Sequence, residues 1–244
     1  MRIVTIVCFV TIVLGHECKD YNLSPSDQSL IEMMKHCLHT SKEASCQQKQ
    51  QNVGVTYVRW GKKICPEDAE VIYTGQAGGN YYNNKGGGVN YLCLPNDPEN
   101  GQTDKVANYG LFGAEYQIFG EHKSSVTLPT SFNDQEVPCV VCRRQGKTSA
   151  IMIPVRKTQK KIKTTRKTCH SGWKLEYTGL LMADYIDQGK TEYACVDVDS
   201  EVLDSKVTGN KDGALFFFVK TKCGSLRCPP YTDSAVVNCV VCTK

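Results

Sequence analysis

Short apolar and alternating runs recur along most of the chain, separated by clusters of Gly, Asn, Asp and Pro. The runs are VGVTYVRW (53–60), AEVIYT (69–74), VNYLCL (89–94), PCVVC (138–142), AIMIPV (150–155), KLEYT (174–178), EYACVDV (192–198), ALFFFVKT (214–221) and VVNCVVC (236–242). Their length, their β-branched and aromatic content and their turn-forming flanks predict strands. Nothing after residue 53 has the extent of a long helix. The expected fold class is all-β, preceded by a short N-terminal helix.

That helix is predicted in the segment 16–52. The stretch SPSDQSLIEMMKHCLHTSKEASCQQKQQ (24–51) opens with Ser24 as cap, Pro25 at the first helical position and Asp27 completing a Ser-x-x-Asp box. Ile31, Met34 and Leu38 share one side at 3-4 spacing, a stripe of under two heptads. It suits either a coiled-coil seam or packing on the rest of the protein.

The pattern then repeats. YTGQAGGNYYNNKGGGVNYLC (73–93) and YTGLLMADYIDQGKTEYAC (177–195) open on the same Tyr-Thr-Gly and close on the same Tyr-x-Cys. Aligning Cys65 with Cys169 also matches Asp97 with Asp199, Glu99 with Glu201 and Gly113-Ala114 with Gly213-Ala214. From there each copy takes 26 residues to reach Cys139 or Cys239, and each ends in Cys-Val-Val-Cys. A register held over this length predicts two homologous disulfide-rich β subdomains. The expected organisation is 1–15 signal peptide, 16–52 helical segment, 53–149 first repeat, 150–168 basic linker and 169–244 second repeat.

The signal peptide is read from MRIVTIVCFVTIVLGHE. A basic Arg2 precedes an apolar run from Ile3 to Leu14 and a small Gly15. A run of that length falls short of the ~20 residues that span a bilayer, and no other run approaches it. The expectation is a soluble, secreted protein with no membrane span. The near-balanced net charge of +4 gives no reason to expect nucleic-acid binding.

Cysteine usage fits an oxidising compartment. Of 14 Cys, Cys8 leaves with the signal. The second copy carries Cys223 and Cys228 where the alignment puts Lys123 and Leu128 in the first. Two cysteines present together and absent together are expected to bond each other. The four cysteines left in each copy allow three pairings. The favoured one is nested: Cys65–Cys142, Cys93–Cys139, Cys169–Cys242 and Cys195–Cys239. A bond within Cys-Val-Val-Cys would strain the extended strand that its valines favour. Cys18, Cys37 and Cys46 remain as interchain candidates. On a helix, Cys37 and Cys46 lie about 13 Å apart along the axis and on opposite faces.

Candidate chemistry is sparse. The glycine loop lacks the Gly-Lys-Ser/Thr ending of a phosphate loop, since Lys85 is followed by Gly86, Gly87 and Gly88. It reads instead as a tight strand connection with glycines at positive φ. Asn80, Tyr81, Tyr82 and Asn83 are candidate glycan contacts, because tyrosine rings stack on sugars and amides bond hydroxyls. The Cys-x-x-Cys pairs lack the spacing of a zinc ribbon. The recurring Asp97/Glu99 and Asp199/Glu201 suggest a turn that the fold requires, with calcium as the alternative. His16, His36, His39, His122 and His170 form no recognisable catalytic pattern. Neither cofactor nor metal is expected, and no enzyme.

The linker RKTQKKIKTTRK (156–167) is the strongest local sign of interaction. Seven of its twelve residues are basic and none is acidic. Arg156, Lys157, Lys160, Lys161, Lys163, Arg166 and Lys167 are candidates for docking on sulfated glycosaminoglycan, and Lys160-Lys161 also resembles a dibasic processing site. Asn22-Leu-Ser is a glycosylation sequon, weakened by Pro25.

GVTYVRWGKKICP, VPCVVC, CHSGWKLEYTGLLMADY, GALFFFVKTKCGSLRCPPY and NCVVCTK, with the glycine loop, resemble the C-terminal non-collagenous domain of the invertebrate short-chain, spongin-type collagens. The likeness covers roughly residues 53 to 244. More distantly, the chain resembles the duplicated domain that caps type IV collagen. That resemblance implies six cysteines per copy paired first–sixth, second–fifth and third–fourth. The second copy has all six and the first lacks the inner two. It also implies an extracellular-matrix role and assembly into trimers or larger. The chain has no Gly-X-Y run, so it forms no collagen triple helix. The expected function is a secreted matrix assembly module that oligomerises with itself and binds matrix polyanions. The alternative is a lectin-like or defence protein that binds glycans.

Overall fold

The computed structural model describes residues 53–99, 110–118, 128–155, 169–204 and 209–244. The chain divides into two units, Met1–Gln51 and Asn52–Lys244. The expected N-terminal helix lies outside the described residues. In the second unit both repeats contribute to one ten-stranded sheet, and the described residues include no α-helix. None of their helices is long and apolar enough to cross a membrane.

The first copy supplies β1 (Gly54–Trp60), β2 (Glu70–Gly79), β3 (Leu92–Pro95), β4 (Phe112–Tyr116) and β5 (Pro138–Gln145). The second supplies β6 (Ala150–Val155), β7 (Lys174–Ala183), β8 (Ala194–Asp197), β9 (Ala214–Phe218) and β10 (Asn238–Thr243). Each copy uses the same pairings. β1 lies antiparallel to β5 as β6 does to β10. β2 pairs with β5, β3 and β4 as β7 does with β10, β8 and β9. Even the bulge recurs, at Ile72 in β2 and Glu176 in β7.

Several of the glycines read as loop are strand. Gly75, Gly78 and Gly79 belong to β2, and of the loop's glycines only Gly87 has positive φ. The reason is close approach: a Cβ on Gly75 would lie 1.8 Å from the Leu94 carbonyl oxygen on β3. The Gly-Ala match is also corrected. Gly79 faces Phe112 in the first copy, and its counterpart Ala183 faces Phe217 in the second. Phe112 therefore corresponds to Phe217, five places beyond the sequence alignment. Ala114 and Ala214 are not counterparts but neighbours, paired across the parallel β4–β9 contact. By the same register Cys223 corresponds to Ile118 rather than to Lys123.

Among the described residues, five disulfides join Cys65–Cys142, Cys93–Cys139, Cys169–Cys242, Cys195–Cys239 and Cys223–Cys228. Both Cys-Val-Val-Cys stretches run extended within β5 and β10, and each sends its two sulfurs to different partners. The buried core mixes the copies. Trp60, Tyr91 and Tyr116 pack in one cluster with Leu180, Met182, Val196 and Phe216. Each such large apolar side chain contributes roughly 1.5–3 kcal/mol by leaving water.

Candidate functional site

The most elaborated part of the structure is the junction between the two copies. Two parallel contacts make it: β1 meets β8 at Trp60 and Val196, and β4 meets β9 over Ala114–Tyr116 and Ala214–Phe216. The second contact is a loan. Residues 213–216 of the second copy extend the sheet of the first, and a Cβ on Gly213 would lie 2.3 Å from the Gly113 carbonyl. The loan brings Phe216 onto Tyr91, stacked with centroids 4.1 Å apart, and the Tyr91 hydroxyl donates to the Leu215 carbonyl at 2.7 Å.

Charged groups complete the junction. The Glu176 carboxylate accepts Arg144 Nε at 3.0 Å and Nη2 at 2.5 Å, Tyr57 OH at 2.7 Å and Thr243 Oγ1 at 2.6 Å. Burial pulls this carboxyl upward, but Arg144, Thr243 and Tyr57 outweigh it and hold it below the usual glutamate value. Burial first, then Glu176, keeps the Tyr57 hydroxyl protonated and donating. Arg59 Nε donates to Asp197 at 2.8 Å and lies over the Tyr177 ring. Lys62 reaches Asp199 at 3.2 Å and Glu201 at 2.7 Å. Burial works against the ammonium, yet the two acids together raise its pKa.

The recurring acids thus behave unequally. Asp199 and Glu201 hold Lys62 of the other copy, whereas Asp97 and Glu99 sit exposed just past β3. Of the candidate glycan contacts, Asn80 is committed to its own loop. Its Nδ2 donates to Gly86 O at 2.7 Å, and its Oδ1 accepts from Tyr81 N and Asn84 Nδ2 at 3.0 and 2.8 Å. Tyr81 packs between Tyr82 and Phe112, and Asn83 is exposed. Asn22, Cys18, Cys37, Cys46 and the basic residues Arg156, Lys157, Lys160, Lys161, Lys163, Arg166 and Lys167 lie outside the described residues.

A cleft of about 420 Å³ opens beside the junction, lined by Lys63, Thr74, Asn96, Glu136, Leu203 and Asp204 among others. Lys63 pairs with Asp204 across it at 3.0 Å. Among the described residues no set of three or more His, Cys, Asp or Glu could hold a metal ion.

Arg144, Glu176, Lys62 and Phe216 carry the junction and went unremarked in the sequence. Glu176 stands where the first repeat has Ile72, so comparing the repeats did not mark it. No family model matches the chain.

The duplication has a geometrical consequence. The counterpart of the β1–β8 contact would join β6 to β3. Within this chain those strands do not meet: β6 pairs with β10 alone and β3 with β2 alone, among the described residues. Residues whose counterparts are buried in the closed junction are exposed here. Ile151 is 37% exposed where Tyr57 is buried, Ile72 46% where Glu176 is buried, and Leu92 48% where Ala194 is buried. One junction is closed and its twin is open, with one side of the open one on each copy.

Proposed function

We propose that the chain is a secreted, non-catalytic extracellular module that works by joining copies of itself. The observation that carries this reading is the pair of open strand edges, β3 and β6, flanked by exposed apolar side chains where the closed junction is buried. A heterologous contact of this kind joins the second repeat of one chain to the first repeat of the next, and the rotation between them decides whether a ring closes. Five disulfides suit an oxidising extracellular setting. The resemblance to collagen non-collagenous domains points the same way, with Cys18, Cys37 and Cys46 supplying interchain bonds where a triple helix is missing. The basic stretch from Arg156 to Lys167 directly follows β6 in sequence and is the part of the chain suited to matrix polyanions.

Light scattering on the full secreted chain, before and after mild reduction, tests the reading. The expected native mass is a whole multiple of the chain mass, falling or dissociating more readily on reduction. One chain mass under both conditions overturns it.

A further inference from the structure

The glycine-rich loop holds two glycines that the chain itself does not need. Elsewhere among the described glycines, each has positive φ or would set a Cβ within 3.1 Å of a neighbouring atom, except Gly110, whose Cβ would come only to 4.0 Å from Asn80 Oδ1. Gly86 and Gly88 do neither: a Cβ on either would meet nothing within 4 Å. Both are exposed, beside Gly87, which its own positive φ and Asn80 account for.

The closed junction shows what such a place is for. There Tyr82 N donates to the Gly213 carbonyl, and Gly189 N donates to the Tyr82 carbonyl, each at 2.7 Å. A Cβ on Gly189 would lie 3.0 Å from Asn84 O and 3.1 Å from Tyr82 O. Glycine at 189 thus lets the second repeat's loop press its backbone onto the first repeat's loop.

The counterparts can be placed. The same turn bond, Asn84 N to Tyr81 O and Gln188 N to Tyr185 O, both 3.0 Å, sets Tyr82 against Ile186. Counting back from Cys93 and Cys195 sets Gly87 against Gly189. Ile186 is 87% exposed. On the same repeat Tyr193 is 61% exposed, although its counterpart Tyr91 is buried and stacked on Phe216. The residue at Phe216's counterpart position, Leu111, is 58% exposed on the first repeat. The loops also differ in charge, with Lys85 on one and Asp187 on the other.

We infer that Gly86–Gly88 is the seat for the Tyr185–Gln188 loop of a second copy of this chain. Gly87 there takes the place against Ile186 that Gly189 takes against Tyr82. The flanking glycines leave the seat bare so that backbone meets backbone, while Leu111 covers Tyr193. This rests on the self-assembly reading and gives it a specific surface: the first-repeat loop of one chain against the second-repeat loop of the next.

The test uses the full secreted chain with Cys18, Cys37 and Cys46 replaced by serine, so that covalent links do not mask the contact. Gly88→Trp fills the seat and Ile186→Arg blunts the inserted loop. Both sites are exposed, so thermal unfolding is expected to stay as in the parent. Each variant alone is expected to weaken self-association roughly 30-fold or more and to run as a single chain by light scattering. Mixed in equal amounts they are expected to give dimers and nothing larger, because each then contributes its one intact face. Overturning results are a variant that keeps the parent's mass, or a mixture that stays at one chain mass. A parent that is monomeric while the unmodified protein is an oligomer overturns this contact alone. A monomeric unmodified protein overturns the assembly reading with it.

Discussion

Glu176 ties the second repeat to Arg144 and Tyr57 of the first. Its carboxylate is fully enclosed and takes four hydrogen bonds, two of them from Arg144. Removing one partner of such a pair leaves a buried charge, which costs roughly 3–5 kcal/mol. Glu176→Gln is expected to lose stability on that order in chemical denaturation, and Arg144→Met to do the same. The depressed carboxyl also fixes a pH window. Its stabilisation is complete above the ordinary glutamate value of 4.5 and is lost as pH falls below it through the folded-state value. Asp184 behaves in the opposite sense. Burial raises it to about 7, and its Oδ2 has no hydrogen-bond partner. The stabilisation of the neutral form is present below the ordinary aspartate value and is lost as pH rises through about 7. The first repeat carries Asn80 at this place, where the amide nitrogen donates to a loop carbonyl. Asp184→Asn is therefore expected to raise Tm at pH 8.5 by on the order of 3 °C and to change it little at pH 3. A variant less stable than the parent at pH 8.5 would contradict this. None of this was legible in the sequence. An Asn in one repeat and an Asp in the other read as ordinary drift until burial distinguishes them.

The strands were largely legible. Their alternation, β-branched content and turn flanks reflect local physics that the fold keeps, as in AIMIPV (β6) and NCVVCT (β10). β4 was not. FGAEY carries a glycine and a glutamate, Glu115, whose Oε1 accepts from Lys211 N at 3.1 Å, so its pattern is set by tertiary contact. Gly75–Gly79 misled for the same reason, since the glycines serve strand approach rather than turning. Gly75→Ala forces a Cβ onto the Leu94 carbonyl and is expected to cost about 1–3 kcal/mol or more, with β3 amides losing exchange protection first. The disulfides divide by loop length. Cys223–Cys228 spans a separation of 5, and Cys169–Cys242 one of 73. Loop-closure entropy puts their contributions at about 2 and 4 kcal/mol. Serine replacement of the first pair should leave a folded protein of slightly lower Tm, and replacement of the second a far less stable one.

At the scale of the whole molecule, a duplication has been used once inside the chain and left unused once. The repeat was plain in the sequence, and the resemblance to collagen non-collagenous domains raised the expectation that the chain meets copies of itself. Which surfaces would meet was not, because that requires knowing which contacts the first junction makes. Ile72, Leu92 and Ile151 read as unremarkable strand residues until their counterparts prove to be buried. Amide hydrogen exchange across the full chain, at the highest concentration it tolerates, tests this most directly. If a second copy closes the open junction, the outward amides of β3 and β6 exchange as slowly as those of β8 and β1. If they exchange as fast as exposed amides while β1 and β8 stay protected, the open edges are surfaces and not a junction.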